Sequence, residues 1–446
     1  STTVKIYCIE LKLSKIIQAI QITLPRYKMF MLLSRSRLIN PRAIHPRTLS
    51  TSFAGQHHSP VTEYLWRRRQ EQAAKEPDQA SFDADPVTGL LIKRPADTRT
   101  VVKYGFSTNS DLLDKYRNPW GYVRHGLLIE DLDALAGNTA AQHCADGDLS
   151  TPNPLLVTAS VDSIRMKNRL DVRHDLALTG SVAWVGRSSM LINMVMEDET
   201  TGETLMEAGF TFVARCRETR KSVVINRLAP ETIEEQHLFD QIEARETEKK
   251  ALRHDKIHTL ELERIREEAV QDLLLQSRTL LEMPALVTDD VMLMSQTRVE
   301  NSLICQPQQR NMADSIFGGF LMRRAFELAF STCYLHGGSR PHFLELERVI
   351  FRQPVQIGDL LRLAAHVTYT TMEPRPIVHI EVLASVVNPE KREAVVSNIF
   401  NFTFTLNLHL EAAHNRTMKA VVPATEGEAR KYLNGKMFVQ DNLHGI

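Results

Sequence analysis

Three groups of residues in this chain stand where they could do chemistry on a carbonyl. In Leu128–Gly137 the leucines Leu128, Leu132 and Leu135 recur at helical spacing, and Asp133 lies at the edge of that apolar stripe. A carboxylate bordering a buried face is poorly hydrated, so its pKa rises and it can take a proton as a general base. Gly318 and Gly319 open a second apolar helix. Glycines there let a ligand approach the backbone, and the unpaired N–H groups of the first turn favour a developing oxyanion. Asn311 lies eight residues before Gly319, on the loop entering that turn, where its amide can donate to a carbonyl or hold a water. Each group also has a plainer reading: an exposed or capping acid, a turn asparagine, and glycines that allow close helix packing.

The elements that position these residues come in duplicate. Arg117–Leu128 recurs, degraded, as Arg310–Leu321, an offset of 193 residues without a gap, and each copy runs into an apolar helix. Gly209–Phe212 pairs with Asn401–Phe404 once small gaps are allowed. The chain therefore holds two copies of one domain. The copies differ where chemistry would sit, because Asp133 aligns with Phe326, with Glu327 beside it. One copy supplies the acid, the other the amide and the glycines. Asn118 is retained in the half that lacks the acid, and that half keeps a loop and a helix N-terminus.

The 446 residues carry equal numbers of acidic and basic side chains, so net charge gives no case for nucleic acid. Five scattered cysteines without a CxxC pattern argue for reduced thiols and against a disulfide or zinc framework. No metal and no cofactor is expected. No stretch approaches about 18 uninterrupted apolar residues, so no integral membrane segment is expected. From Leu11 to Thr62 there is no Asp or Glu, against eight Lys or Arg. That segment is read as a transit peptide over residues 1–49, with Met29 as a natural start and processing after Leu49. A basic tail that binds RNA or membrane is the alternative.

Residues 50–96 read as a polar extension containing a short surface helix from Trp66. The first copy, residues 97–226, reads as a strand over Thr98–Phe106, the Asp133 helix, and strands at Leu155–Val161, Asp175–Val185, Met190–Glu197 and Glu207–Ala214. Residues 227–290 are a charged helical linker of one or two helices with a solvated face. The second copy, residues 291–415, reads as a strand over Val291–Cys305, a helix over Phe320–Leu335, and four further strands. Residues 416–446 read as a tail. A strand, one long helix and then several strands without intervening helices is α+β, with a helix packed on an antiparallel sheet. Several residues get bland expectations. Glu130 and Asp131 are solvated, and His125 is a loop residue. His143 and His336 are dipole partners at helix ends. Cys144 and Cys333 pack, and Trp184 and Met190 are strand core.

The tandem copies, together with Leu128–Gly137, Trp184–Met190, Gln309–Arg323 and Gly337–Pro341, resemble the double-hotdog acyl-CoA thioesterases, and most closely their mitochondrial acyl-CoA thioesterase 9 branch. The resemblance covers roughly residues 95–420. It implies tandem hotdog domains, each an antiparallel sheet wrapped around one long central helix, with acyl-CoA bound where the two meet. It implies that Asn311 of one copy works with Asp133 of the other, with Gly319 or a neighbour binding the thioester oxygen. The reciprocal pair, Asn118 with Phe326, would be silent unless Glu327 rescues it. Asp133 would activate a water, or attack directly to form an anhydride; the sequence leaves both open. Arg187, Ser188, Ser189 and Arg340 are candidates for the CoA phosphates, with hairpin and loop solvation as the alternative. A mitochondrial matrix location and a homo-oligomer, as a trimer of double hotdogs, are implied as well. A hotdog hydratase or dehydratase and a non-catalytic acyl-CoA or nucleotide-binding protein are the competing functions.

Overall fold

The structure, a computed structural model, describes residues 59–65, 67, 90–146, 154–252, 256–283, 290–311, 315–407 and 418–443. The leader expected over 1–49 lies outside these residues, as do most of the helix expected from Trp66 and residues 312–314. Residues 60–65 form a helical turn that places Val61 in the core.

The strands are β1 (Ile92–Lys93), β2 (Thr100–Tyr104), β3 (Leu155–Met166), β4 (Leu176–Val185), β5 (Ser189–Asp198), β6 (Thr204–Arg215) and β7 (Arg227–Leu228) in the first half. The second half has β8 (Val291–Leu293), β9 (Val299–Ile304), β10 (Pro341–Leu346), β11 (Val349–Ile350), β12 (Leu360–Thr371), β13 (Ile377–Asn388), β14 (Glu393–Leu406) and β15 (Ala420–Val422). The helices used below are α1 (Ser110–Tyr116), α2 (His125–Cys144), α3 (Ile233–Leu252), α4 (Lys256–Glu282), α5 (Gly318–Gly337) and α6 (Glu426–Leu443).

One large antiparallel sheet runs β2-β4-β5-β6-β3-β10-β14-β13-β12-β9. Its two halves have the same internal order: the strand before the long helix lies at the outer edge, and the strand after it lies at the centre. The repeat read from the 193-residue offset is thus a repeat of topology. The halves join where β3 meets β10, with Arg165 opposite Glu345 and Ile164 opposite Leu346. Arg165 grips the buried Glu345 carboxylate through Nε at 3.2 Å and Nη2 at 2.9 Å.

Each half wraps its sheet around one long helix, the hotdog architecture. Leu128, Leu132 and Leu135 of α2 are fully buried, as the apolar stripe requires. On β4, Gly180 lets the strand approach the helix closely: a Cβ there would stand 3.0 Å from Thr139 Oγ1 and 2.9 Å from Met194 Sδ. Phe210 and Phe212 on β6, and Phe402 and Phe404 on β14, supply matching aromatic floors.

Four details differ from the sequence reading. The strand expected over Val291–Cys305 is broken: β8 leaves the sheet to pair in parallel with β15, a 3-10 turn follows at Met294–Thr297, and only β9 enters the sheet. The linker folds as two helices, and it is not wholly solvated. Ile242 packs with Trp184, Trp184 Nε1 donates to Glu243 at 2.5 Å, and Val270 is buried. The expected C-terminal tail contains α6, whose Ala429 and Val439 are buried and whose Tyr432 packs edge-on against Tyr369 at 5.2 Å. His143 and His336 are not charged dipole partners. Burial lowers both pKa values, His143 to about 4, and each ring meets a backbone carbonyl, of Asn226 at 2.9 Å and of Lys419 at 3.0 Å.

Candidate active site

The two central helices meet, and their contact brings together Asp133 and Gly319. Asp133 projects from the middle of α2 and is 1% exposed. Its Oδ2 accepts the backbone N–H of Gly319, in the first turn of α5, at 2.6 Å. Its Oδ1 accepts the hydroxyl of Thr158, on β3, at 3.2 Å. Burial raises the Asp133 pKa to about 6; the Gly319 and Thr158 donors oppose that rise, and the Glu130 charge adds to it. The carboxylate is therefore ionised at neutral pH and close enough to its pKa to accept a proton during a reaction.

The glycines are needed for this approach. A Cβ on Gly318 would lie 3.0 Å from Asp133 Oδ2 and 3.2 Å from Phe351 Cζ. A Cβ on Gly319 would meet the Glu130 backbone at 3.0 and 3.1 Å. The close-packing and ligand-approach readings of Gly318 and Gly319 thus describe one geometry, in which backbone stands against backbone beside a buried acid. Helix α5 begins here with no side-chain cap, so the dipole and first-turn amides face the carboxylate.

The two loop asparagines do the same local work. Asn118 N–H donates to Tyr122 O at 2.7 Å and Asn311 N–H to Ser315 O at 2.7 Å. The Asn118 side-chain oxygen accepts from Trp120 and Tyr122 N–H at 3.0 and 2.9 Å; that of Asn311 accepts from Ser315 N–H at 3.2 Å. Arg117 bridges Val123, as Arg310 bridges Ile316. The Asn311 side-chain oxygen thus helps to hold its loop, as that of Asn118 does.

A salt bridge marks the pseudo-twofold relation between the helices. Glu130 and Arg323 are equivalent positions in the two copies, and they pair with each other at 2.8 Å. Glu327 is held by Arg323 at 3.1 Å, Arg324 at 2.8 Å and, more loosely, Arg124 at 3.9 Å, so its carboxylate is engaged with three cations. Asp131 departs from its expected solvation. It is 5% exposed and accepts hydrogen bonds from Tyr104, at 2.9 Å, and Tyr116, and burial raises its pKa to about 6. Glu130 is likewise half-buried in its ion pair. His125, expected in a loop, is the first residue of α2 and neutral, its pKa lowered by burial to about 4.

These features place the chain among known proteins. It is 46% identical to acyl-coenzyme A thioesterase 2, chloroplastic, of Humulus lupulus over 390 residues, covering 85% of this chain and 89% of that one. The chain belongs to the acyl-CoA thioesterase family. It is 44% identical to the mitochondrial acyl-coenzyme A thioesterase 4 of the same plant over 85% of this chain and 73% of that one. It is 30% identical to human mitochondrial acyl-coenzyme A thioesterase 9 over 80% of each chain. No family model matches.

In this acyl-CoA thioesterase the other candidates lie apart. Arg187, Ser188 and Ser189 form the β4–β5 hairpin, where Gly186 N–H donates to Ser189 O at 2.8 Å; Arg187 is exposed. Arg340 lies over the Trp120 ring, 5.7 Å from its centroid, in a cavity that also contains Asn118. It belongs with the Asn118 half, not with Asp133. Cys144 and Cys333 are packed thiols, with burial pushing Cys144 up to about 12 and Cys333 well up. The sequence reading missed Thr158. The segments between helix and strand differ between the copies, so the strand position facing Asp133 has no gap-free counterpart to mark it. Among the described residues no cluster of metal-ligating side chains occurs, and no helix is long and apolar enough to cross a membrane.

Proposed function

We propose that this chain hydrolyses acyl-CoA thioesters to a free fatty acid and CoA at one site shared by two hotdog domains, residues 97–226 and 291–415. The observation that carries this reading is the 2.6 Å contact between Asp133 of one central helix and the Gly319 amide of the other. Asp133 takes a proton from a water that the Asn311 Nδ2 group helps to position. The Gly319 N–H is taken by Asp133, so the thioester oxygen is received by a neighbouring first-turn amide of α5. Thr158 holds the carboxylate in place and favours its ionised form. Collapse of the tetrahedral intermediate expels the CoA thiolate, and the proton held by Asp133 returns to it.

The reading extends to the whole chain. Residues 1–49 direct it to the mitochondrial matrix, and the chains assemble as trimers of double hotdogs. The acid-poor leader and the mitochondrial relatives support the first; a reporter fused to residues 29–60 tests it, and cytosolic signal refutes it. Activity is tested by thiol release from short- and long-chain acyl-CoAs, read with a thiol dye. Turnover of at least one chain-length class is expected, and no release from any of them would refute the reading.

A further inference from the structure

One aromatic ring beside the Asp133 carboxylate has no part in the chemistry described above. Phe351 directly follows β11, where the chain leaves the sheet. A Cβ on Gly318 would stand 3.0 Å from Asp133 Oδ2, and 3.2 and 3.4 Å from Phe351 Cζ and Cε1. The carboxylate and the ring edge therefore face one small gap over Gly318 from two sides. Phe351 is half-buried, whereas Asp133 is 1% exposed. The ring is a layer between the acid and solvent.

The segment that carries the ring is tied down on both flanks of the site. Phe351 N–H donates to Ala159 O at 3.1 Å, next to Thr158 on β3. Ser397 Oγ donates to Gln353 O at 2.8 Å. Ile316 N–H donates to Val355 O at 2.8 Å, and Ser315 bridges Gln356, which joins the segment to the loop of Asn311. The ring is also particular to this junction. Glu345↔Arg165 and Ile350↔Ser160 are one pairing seen from its two sides, as are Leu346↔Ile164 and Val349↔Val161, so Met166 is the counterpart of Phe351. The junction with the acid has a phenyl ring where the other has a thioether.

A phenyl ring takes no proton, so it acts on the acid through the water it displaces. Burial is the first cause of the raised Asp133 pKa. The Gly319 N–H from α5 and the Thr158 hydroxyl from β3 oppose the rise, and Glu130, one turn earlier on α2 and paired with Arg323, adds to it. Asp131 titrates in the same range, but it and its two tyrosine partners lie on the opposite side of α2.

We propose that Phe351 is a positioning residue of the hydrolytic site, whose ring keeps bulk water away from the Asp133 carboxylate. The inference rests on the hydrolysis reading, in which Asp133 is the general base. Removing the ring admits water, which solvates the charged carboxylate and makes it a weaker base.

The test is the pH profile of kcat/KM for thiol release by the full chain, over about pH 4.5–8.5, in wild type, Phe351→Ala and Phe351→Met. The wild-type acid limb should lie near the Asp133 pKa of about 6. In Phe351→Ala it should move down by about one pH unit, so that at pH 5 the variant keeps about half of its own plateau, against about a tenth in wild type. The plateau should fall by about threefold, because the base is weaker. Phe351→Met, the residue of the counterpart position, refills the gap with a long apolar side chain and should restore the limb. Damage to packing alone would lower the plateau and leave the limb in place. Should Phe351→Ala not fold, Phe351→Val carries the same test, with the limb moved by about half a unit. An unmoved limb in the folded small variant, or a limb moved equally in Phe351→Met, overturns the inference while leaving the hydrolysis reading intact. No thiol release from wild type would overturn both.

Discussion

Removing the Thr158 hydroxyl should move the pH profile of the enzyme without moving its plateau. Thr158 donates to Asp133 Oδ1 at 3.2 Å, and that bond favours the ionised carboxylate. A hydrogen bond to a charged group contributes about 1.5–3 kcal/mol, and this one is long, so about 1.4 kcal/mol is a fair figure for its loss. That corresponds to about one pH unit. Loss of a donor to the charged form raises the pKa, so Asp133 should go from about 6 to about 7 in Thr158→Val. The active form is the ionised one, so activity is lost as pH falls through the pKa. For the variant, kcat/KM should then drop by about eightfold at pH 5.5 and about twofold at pH 7, and remain near wild type at about pH 8.5. The assay is thiol release over pH 5–9 at substrate well below KM, with Thr158→Ser as the variant that keeps the hydroxyl. An acid limb that stays at its wild-type position in Thr158→Val would show that the hydroxyl does not hold the Asp133 carboxylate.

Other outcomes follow from packing. Gly319→Ala forces a methyl group against the Glu130 backbone at about 3 Å, and it should cost about 2 kcal/mol, read by thermal or urea unfolding. Arg165→Met strands the buried Glu345 carboxylate and should cost about 3 kcal/mol, most of it recovered in the Arg165→Met/Glu345→Leu double variant. Asn118→Ala and Asn311→Ala should each lose about 1–2 kcal/mol of stability through their loops, but only Asn311→Ala should abolish most turnover. Equal activity losses from the two would refute the single-site arrangement.

The repeat was legible because it is written twice. The gap-free match of Arg117–Leu128 with Arg310–Leu321 survives as matched loops, matched bridges and a sheet whose halves share one strand order. The stripe of Leu128, Leu132 and Leu135 told one buried face of α2; Asp133 lies on a different face and is buried because the N-terminus of α5 packs against it. Asp131, three residues after Leu128 and four before Leu135, belongs to the stripe's own face, and the expectation that it is solvated overlooked that spacing; Tyr104 and Tyr116 supply the hydroxyls that satisfy the buried acid. Thr158 was hidden by unequal connections after the two helices. Helix α6 was hidden by composition, since Gly427, Gly435 and its charges give little apolar pattern. It packs against β12, β13 and α4, which is why Ala429 and Val439 are buried. The break in Val291–Cys305 has the same origin: β8 is drawn out of the sheet by β15, whose residues lie 129 positions later in every register pair.

Asp133→Asn tests the central claim most directly. The substitution keeps the shape of the side chain and an oxygen for the Gly319 N–H, so the protein should fold, as unfolding measurements would verify. General-base catalysis contributes about 10²–10⁴ in rate, so kcat for acyl-CoA hydrolysis should fall by about 100-fold or more while KM stays roughly intact. A folded Asp133→Asn protein with near-normal kcat would contradict the account and remove Asp133 from the chemistry.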